Sequence, residues 1–206
     1  RDVSGRLLFT LERPDLNNLY AEGWREPECF TVKAADGETD LYGVMWKPMD
    51  FDSTKRYPVI AYVYPGPWTE YIPLDFEFSS PSGAPQLAQL GFVVGYGFGK
   101  LRDYPLADNK YGLEQLLARY SFIDGTKVGI FGHSGGGSMA VAAICTYPDF
   151  YKAAVASSGN YDNTIFDYGW SEIHHGIKEV TKEGKVSFEF SIPVHLELAN
   201  NLKGHL

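Results

Sequence analysis

The sequence predicts an α/β protein built on a mostly parallel sheet with helices on both faces, and three observations carry that prediction. Apolar runs of strand length, "YPVIAYVYPGP" from Tyr57 and "KVGIF" from Lys127, show no alternation, which is the form of strands buried on both faces. Helical segments with apolar faces lie between such runs, and alternating strands and helices imply parallel pairing. A glycine-flanked serine, Ser134, stands where one of those strands gives way to a helix.

The elements follow in order. "RDVSGRLLFTLERPDL" alternates around a Ser-Gly turn and reads as the edge of a β-hairpin. The polar, turn-rich "NNLYAEGWREPEC" suits a linker. "FTVKAADGETDLYGVMWKP" reads as a second hairpin turning at Asp36-Gly37. After the Tyr57 strand, "QLAQLGFVV" gives a helix end, a glycine and another buried strand. "DNKYGLEQLLARYSFIDG" starts with capping residues and sets Leu113, Leu116, Leu117 and Tyr120 at helical spacing, so it predicts an amphipathic helix stopped near Asp124-Gly125. "SMAVAAICTY" predicts a helix ended by Pro148, and "KAAVASSG" a strand. "SIPVHLELANNLKGHL" reads as a helix ending near Lys203-Gly204.

The 206 residues suffice for one domain with a sizeable core. A net charge of −8, with no Lys/Arg stripe, argues against a nucleic-acid partner. No apolar run reaches the length of a membrane span. Cys145 lies in an apolar helical stretch and reads as a small buried hydrophobe; a disulfide to Cys29, in an oxidising compartment, is the alternative. The aspartates and histidines show no ligand spacing such as H-E-x-x-H, so neither metal nor organic cofactor is implied. The chain opens at Arg1 in mid-pattern, the look of a piece of a longer protein.

Gly132-His133-Ser134-Gly135-Gly136 matches G-x-S-x-G in the strand-turn-helix setting the motif requires. A serine hydroxyl becomes a useful nucleophile only when held clear of the core and within reach of a base. So tight a reversal strains the serine backbone, and glycines on either side relieve the crowding. The following helix directs its first N–H groups at the same spot, so the Gly135 amide is a candidate oxyanion donor. A glycine-rich anion-binding loop is the bland alternative. It lacks the Gly-Lys-Ser/Thr of a phosphate loop and an acidic residue at dinucleotide spacing. His133 adjoins the serine, but an elbow points successive side chains apart, so it reads as structural.

In family order, "YPVIAYVYPGP", "LRDYPLADNKYGLEQL", "FIDGTKVGIFGHSGGG" and "YPDFYKAAVASSG" resemble the prolyl oligopeptidase family of serine peptidases, and within it the dipeptidyl peptidase IV branch. The resemblance runs from about Phe30 to Gly176. It implies an α/β-hydrolase catalytic domain, partial here, over residues 30–206. Residues 1–29 would be the end of a β-propeller and a linker. It further implies that Tyr64, in the place of the family's oxyanion tyrosine, partners the Gly135 amide. Trp170 and His174 fall nearest the aromatic residues that line the proline pocket. That stretch of the family is tyrosine-rich and this chain departs from it; His133 and Gly135 also stand where the branch has bulky aromatics, implying a wider or reshaped pocket. A peptide substrate, an exported location and a homodimer are implied by the resemblance alone.

An α/β-hydrolase triad continues from Ser to Asp or Glu and then His on later strands. Asp149, Asp162, Asp167, His174, His175, His195 and His205 follow Ser134, none in the strand-then-loop context those roles demand. The expectation is that the triad Asp and His lie beyond Leu206, and that this stretch alone hardly turns over. The family also carries a longer loop than the one following Val94 here. Two other readings of the elbow stay open: an esterase or acyl-peptide hydrolase on the same fold, and a non-catalytic hydrolase-like module.

Overall fold

The structure is a computed structural model, describing residues 1–64, 83–97, 105–162, 165, 167, 169, 177–190 and 199–202. The Ser-Gly turn forms as expected: the Gly5 amide donates to the Asp2 carbonyl at 2.9 Å, with φ +85° at Gly5. The strands expected around it do not form. Residues 1–16 carry no strand, and Leu7, Leu8, Phe9 and Leu11 are 58%, 55%, 69% and 92% exposed. An alternating segment becomes a strand only where another strand satisfies its edge, and no described strand lies beside this one. The polar connection after it holds a short helix, α1 (Asn17–Ala21), and one buried anchor, Trp24.

The second hairpin forms as expected. Strands β1 (Glu28–Lys33) and β2 (Asp40–Trp46) pair antiparallel from Glu28↔Met45 to Lys33↔Asp40. The Asp36 carboxylate closes the turn by accepting from the Glu38 and Thr39 amides at 2.8 and 2.9 Å, beside Gly37 at φ +75°.

The parallel part follows as β3 (Tyr57–Tyr62), α2 (Ala84–Gln89), β4 (Val93–Gly97), α3 (Pro105–Arg119), β5 (Ile123–His133), α4 (Gly135–Thr146) and β6 (Tyr151–Ser157). The sheet order is β1-β2-β4-β3-β5-β6; β2 meets β4 antiparallel, and β4, β3, β5 and β6 run parallel. Strand residues alternate between two cores. Val59, Ala61, Val128 and Ile130 pack with Leu113 and Leu116 of α3 and Met139, Ala140 and Ala143 of α4. Val44, Trp46 and Tyr62 pack with Ala84 and Ala88 of α2 on the other face. Each fully buried aliphatic side chain contributes about 1.5–3 kcal/mol of transfer free energy.

Helix α3 differs from its sequence reading at both ends. It begins at Pro105, where proline suits a first turn, and stops at Arg119 rather than near Asp124-Gly125. Phe122 and Ile123 are 8% and 2% exposed, drawn into the sheet where Ile123 pairs Tyr57. Asp124 and Gly125 fall in a register shift between Tyr57↔Ile123 and Val59↔Val128, held by Thr126 donating its amide and hydroxyl to the Asp124 carboxylate at 3.0 and 2.7 Å.

A second sheet was not expected. Strands β7 (Ile177–Lys182) and β8 (Lys185–Phe190) form an antiparallel hairpin outside the main sheet. The helix expected over the last residues lies mostly outside the described ones; Ala199–Asn201 form a single 3₁₀ turn. Both cysteines are free, Cys29 exposed and Cys145 buried, so no disulfide joins them. No described helix is long and apolar enough to cross a membrane.

Candidate active site

Strand β5 ends at His133 and α4 begins at Gly135, which leaves Ser134 alone to make the reversal. Its backbone takes φ 55° and ψ −123°, a conformation costly for a residue with a Cβ. Two contacts hold it there. The Ser134 amide donates to the Ser157 carbonyl at 2.8 Å and the Ser138 amide donates to the Ser134 carbonyl at 3.1 Å; beside them the Val63 amide donates to the Phe131 carbonyl at 3.0 Å and joins the ends of β3 and β5. The Ser138 bond is the first rung of α4, so the amides of Gly135, Gly136 and Gly137 precede the helical ladder.

The glycines are needed for contact as well as torsion. A Cβ on Gly136 would stand 2.0 Å from the Val63 carbonyl oxygen, and one on Gly132 would stand 2.4 Å from the Gly136 carbonyl oxygen. A Cβ on Gly137 would meet the Ser157 carbonyl oxygen at 2.5 Å. The start of α4 is therefore seated directly on the carboxyl ends of β3 and β6. Ser138, 8% exposed, fastens it: its hydroxyl lies 2.7 Å from Asn160 Oδ1 and 3.0 Å from the Asn160 carbonyl.

The sheet order puts this elbow at a crossing of connections. The chain leaves β3 toward β4 over one face and passes back over the other face to β5, so the crevice at the carboxyl ends of β3 and β5 is a switch point, the usual ligand site of such sheets. Tyr64 lies two residues past β3, with its Cα 3.3 Å from the position of a Gly136 Cβ. Its side chain is half-buried and packs on the core beside α2. Ser134, Gly135 and Tyr64 are thus brought to one edge.

His133 is exposed, and its Nδ1 lies 3.1 Å from Ser157 Oγ, turned toward β6 as a structural residue would be. Asp149 stands just before β6, at the amino edge of the sheet; at about 3.3 Å per residue, the length of β6 puts it on the order of 20 Å from the elbow. It cannot orient a base there. Trp170, His174, His175, His195 and His205 lie outside the described residues, and Asp162 and Asp167 follow β6 on the carboxyl side. Among the described residues no group of three His, Cys, Asp or Glu could hold a metal. The sequence reading overlooked Val63, Gly137 and the Ser138–Asn160 pair, whose parts are far apart in the chain and carry no local motif.

Residues 97–192 match the model of the Prolyl oligopeptidase family. Over those residues the chain is similar to that family. Among its relatives, human Dipeptidyl peptidase 8 is 30% identical over 77% of the chain and 19% of its own length. A probable dipeptidyl-aminopeptidase B of Aspergillus fumigatus is 29% identical over 57% of the chain and 14% of its own length. A crystal structure from Bacteroides ovatus, provisionally described as a dipeptidyl aminopeptidase IV, superposes with a TM-score of 0.73 at 28% identity, covering 87% of this chain and 27% of that one. The α/β-hydrolase fold is thereby shared with this family. The chain spans about a fifth of the length of this human relative.

Proposed function

We propose that this chain carries the nucleophile of a serine peptidase that cleaves short units from peptide N-termini, through an acyl-enzyme formed on Ser134. One observation carries the reading: an unfavourable backbone conformation at the serine between β5 and α4, enforced by three glycines packed on β3 and β6, at the switch point of the sheet. Such strain persists only where the surrounding structure imposes it, and it tends to mark sites of chemistry. In this reading Ser134 Oγ attacks the scissile carbonyl, and the Gly135 amide and Tyr64 hydroxyl stabilise the resulting oxyanion. The proton passes to a histidine other than His133, oriented by a carboxylate other than Asp149, and returns to the leaving amine before water releases the acyl group.

The resemblance supports a pocket formed near Trp170 and His174 with post-proline or post-alanine preference, in an exported, homodimeric enzyme. The full-length protein should hydrolyse Gly-Pro or Ala-Pro chromogenic amides and react with a fluorophosphonate at Ser134. Ser134→Ala should abolish both, by at least about 10³-fold in kcat. Cleavage of esters alone would replace the peptidase reading with an esterase, and absence of serine-dependent turnover and labelling would end it.

A further inference from the structure

The glycine turn that opens α4 has little of its own to hold it in place. Gly135, Gly136 and Gly137 are poor helix formers, Ser134 makes no side-chain cap bond, and no acidic residue stands in the first turn. Yet the proposed chemistry needs the Gly135 amide fixed on the oxyanion, because a donor that must reorient during reaction stabilises it less. The order has to come from outside the helix.

It comes from residues 157–160, at and just past the end of β6. The Ser157 carbonyl accepts the Ser134 amide at 2.8 Å, at one end of the glycine stretch. Asn160 holds the other end. The Ser138 hydroxyl has a single proton, and the two acceptors beside it, Oδ1 at 2.7 Å and the carbonyl at 3.0 Å, both belong to Asn160. Ser138 is buried, which strengthens that bond by keeping water from competing for it. Between the two anchors Ser158 takes φ 52°, a left-handed backbone that persists at a serine only where its surroundings impose it. The turn lays Gly159 on α4: a Cβ there would stand 2.6 Å from the Ser138 amide nitrogen, and one on Gly137 would stand 3.2 Å from the Gly159 amide nitrogen. The Gly159 amide donates in turn to the Tyr161 hydroxyl at 3.3 Å.

We infer that Ser138 and Asn160 are positioning residues: with Ser157 they brace the glycine turn so that the Gly135 amide faces the oxyanion, and they act on the rate of acylation rather than on substrate binding. That role rests on the peptidase reading, and the experiment separates the two. In the full-length protein, Ser138→Ala should lower kcat for a Gly-Pro chromogenic amide and the rate of fluorophosphonate labelling about 10- to 100-fold each, with KM unchanged within about twofold. Labelling should still run to completion, whereas a merely structural loss would lower its final extent. Ser138→Thr, which keeps the hydroxyl, should recover most of both rates. Asn160→Ala should slow both in the same way, and its combination with Ser138→Ala should lose less than the product of the two single losses. Wild-type rates in Ser138→Ala, with turnover still dependent on Ser134, would overturn the inference and leave the peptidase reading standing. Incomplete final labelling, or losses that simply multiply in the double variant, would also overturn it. Absence of serine-dependent turnover in the unaltered protein would end both.

Discussion

At the scale of single residues, the elbow is held by what its glycines lack. Gly136 has no room for a methyl group, because the obstructing atom is the Val63 carbonyl oxygen at 2.0 Å and a backbone atom cannot step aside. Gly136→Ala should destabilise the fold by about 3 kcal/mol or displace α4 from β3. Gly95, in β4, has nothing within 4 Å of its missing Cβ, and Gly95→Ala should leave the melting temperature nearly unchanged. Equal effects of the two substitutions in a thermal melt would contradict the packing described. The motif was legible at this scale because its chemistry is local: strand, serine, glycines and helix are contiguous. Gly137 was not, since the carbonyl it abuts belongs to Ser157, twenty residues on.

At the scale of elements, an ion pair among aromatic rings helps to tie the sheet to its surroundings. Lys47, 21% exposed in its side chain, donates to Glu28 and lies 5.0 Å from the Phe51 ring, 4.9 Å from Phe122 and 5.8 Å from Tyr120. The Tyr120 hydroxyl donates to the same carboxylate at 2.8 Å. Burial raises the Glu28 pKa, but the bonds from Lys47 and Tyr120 and the nearby ammonium charge outweigh it, so the group ionises below the ordinary glutamate range. A lowered folded pKa stabilises the protein above the unfolded value, and that contribution is lost as pH falls through the folded one. Lys47→Met should therefore flatten the loss of stability in urea titrations between about pH 5 and pH 3; an unchanged slope would show that the pair contributes nothing. Element positions were largely legible, while boundaries were not. The end of α3 is set by Phe122 and Ile123 entering the core, a tertiary demand that overrides the turn signal at Asp124-Gly125. The β7–β8 hairpin escaped notice because Glu183 is an unusual choice for a positive-φ turn position and β7 (IKEVTK) does not alternate, although β8 (KVSFEF) does.

At the scale of the whole molecule, the described core is confined to the sheet, its three flanking helices and the Trp24 anchor, with residues 1–14 outside it. Removing them should leave the melting temperature within about 2 °C, since surface changes away from packed features fall within about 0.5 kcal/mol. A larger fall would mean that Leu7, Leu8, Phe9 and Leu11 pack in solution. The sequence by itself determined the alternation of strands and helices and the placing of a serine at a glycine-bracketed turn, because hydrophobic period and turn chemistry are written in neighbouring residues. Only the tertiary structure decided that Asp149 lies at the wrong edge, that His133 leans on Ser157, and that Val63 and Ser157 seat the elbow. Those facts depend on which strand ends meet across the sheet, and strand order is not a property of any local stretch of chain.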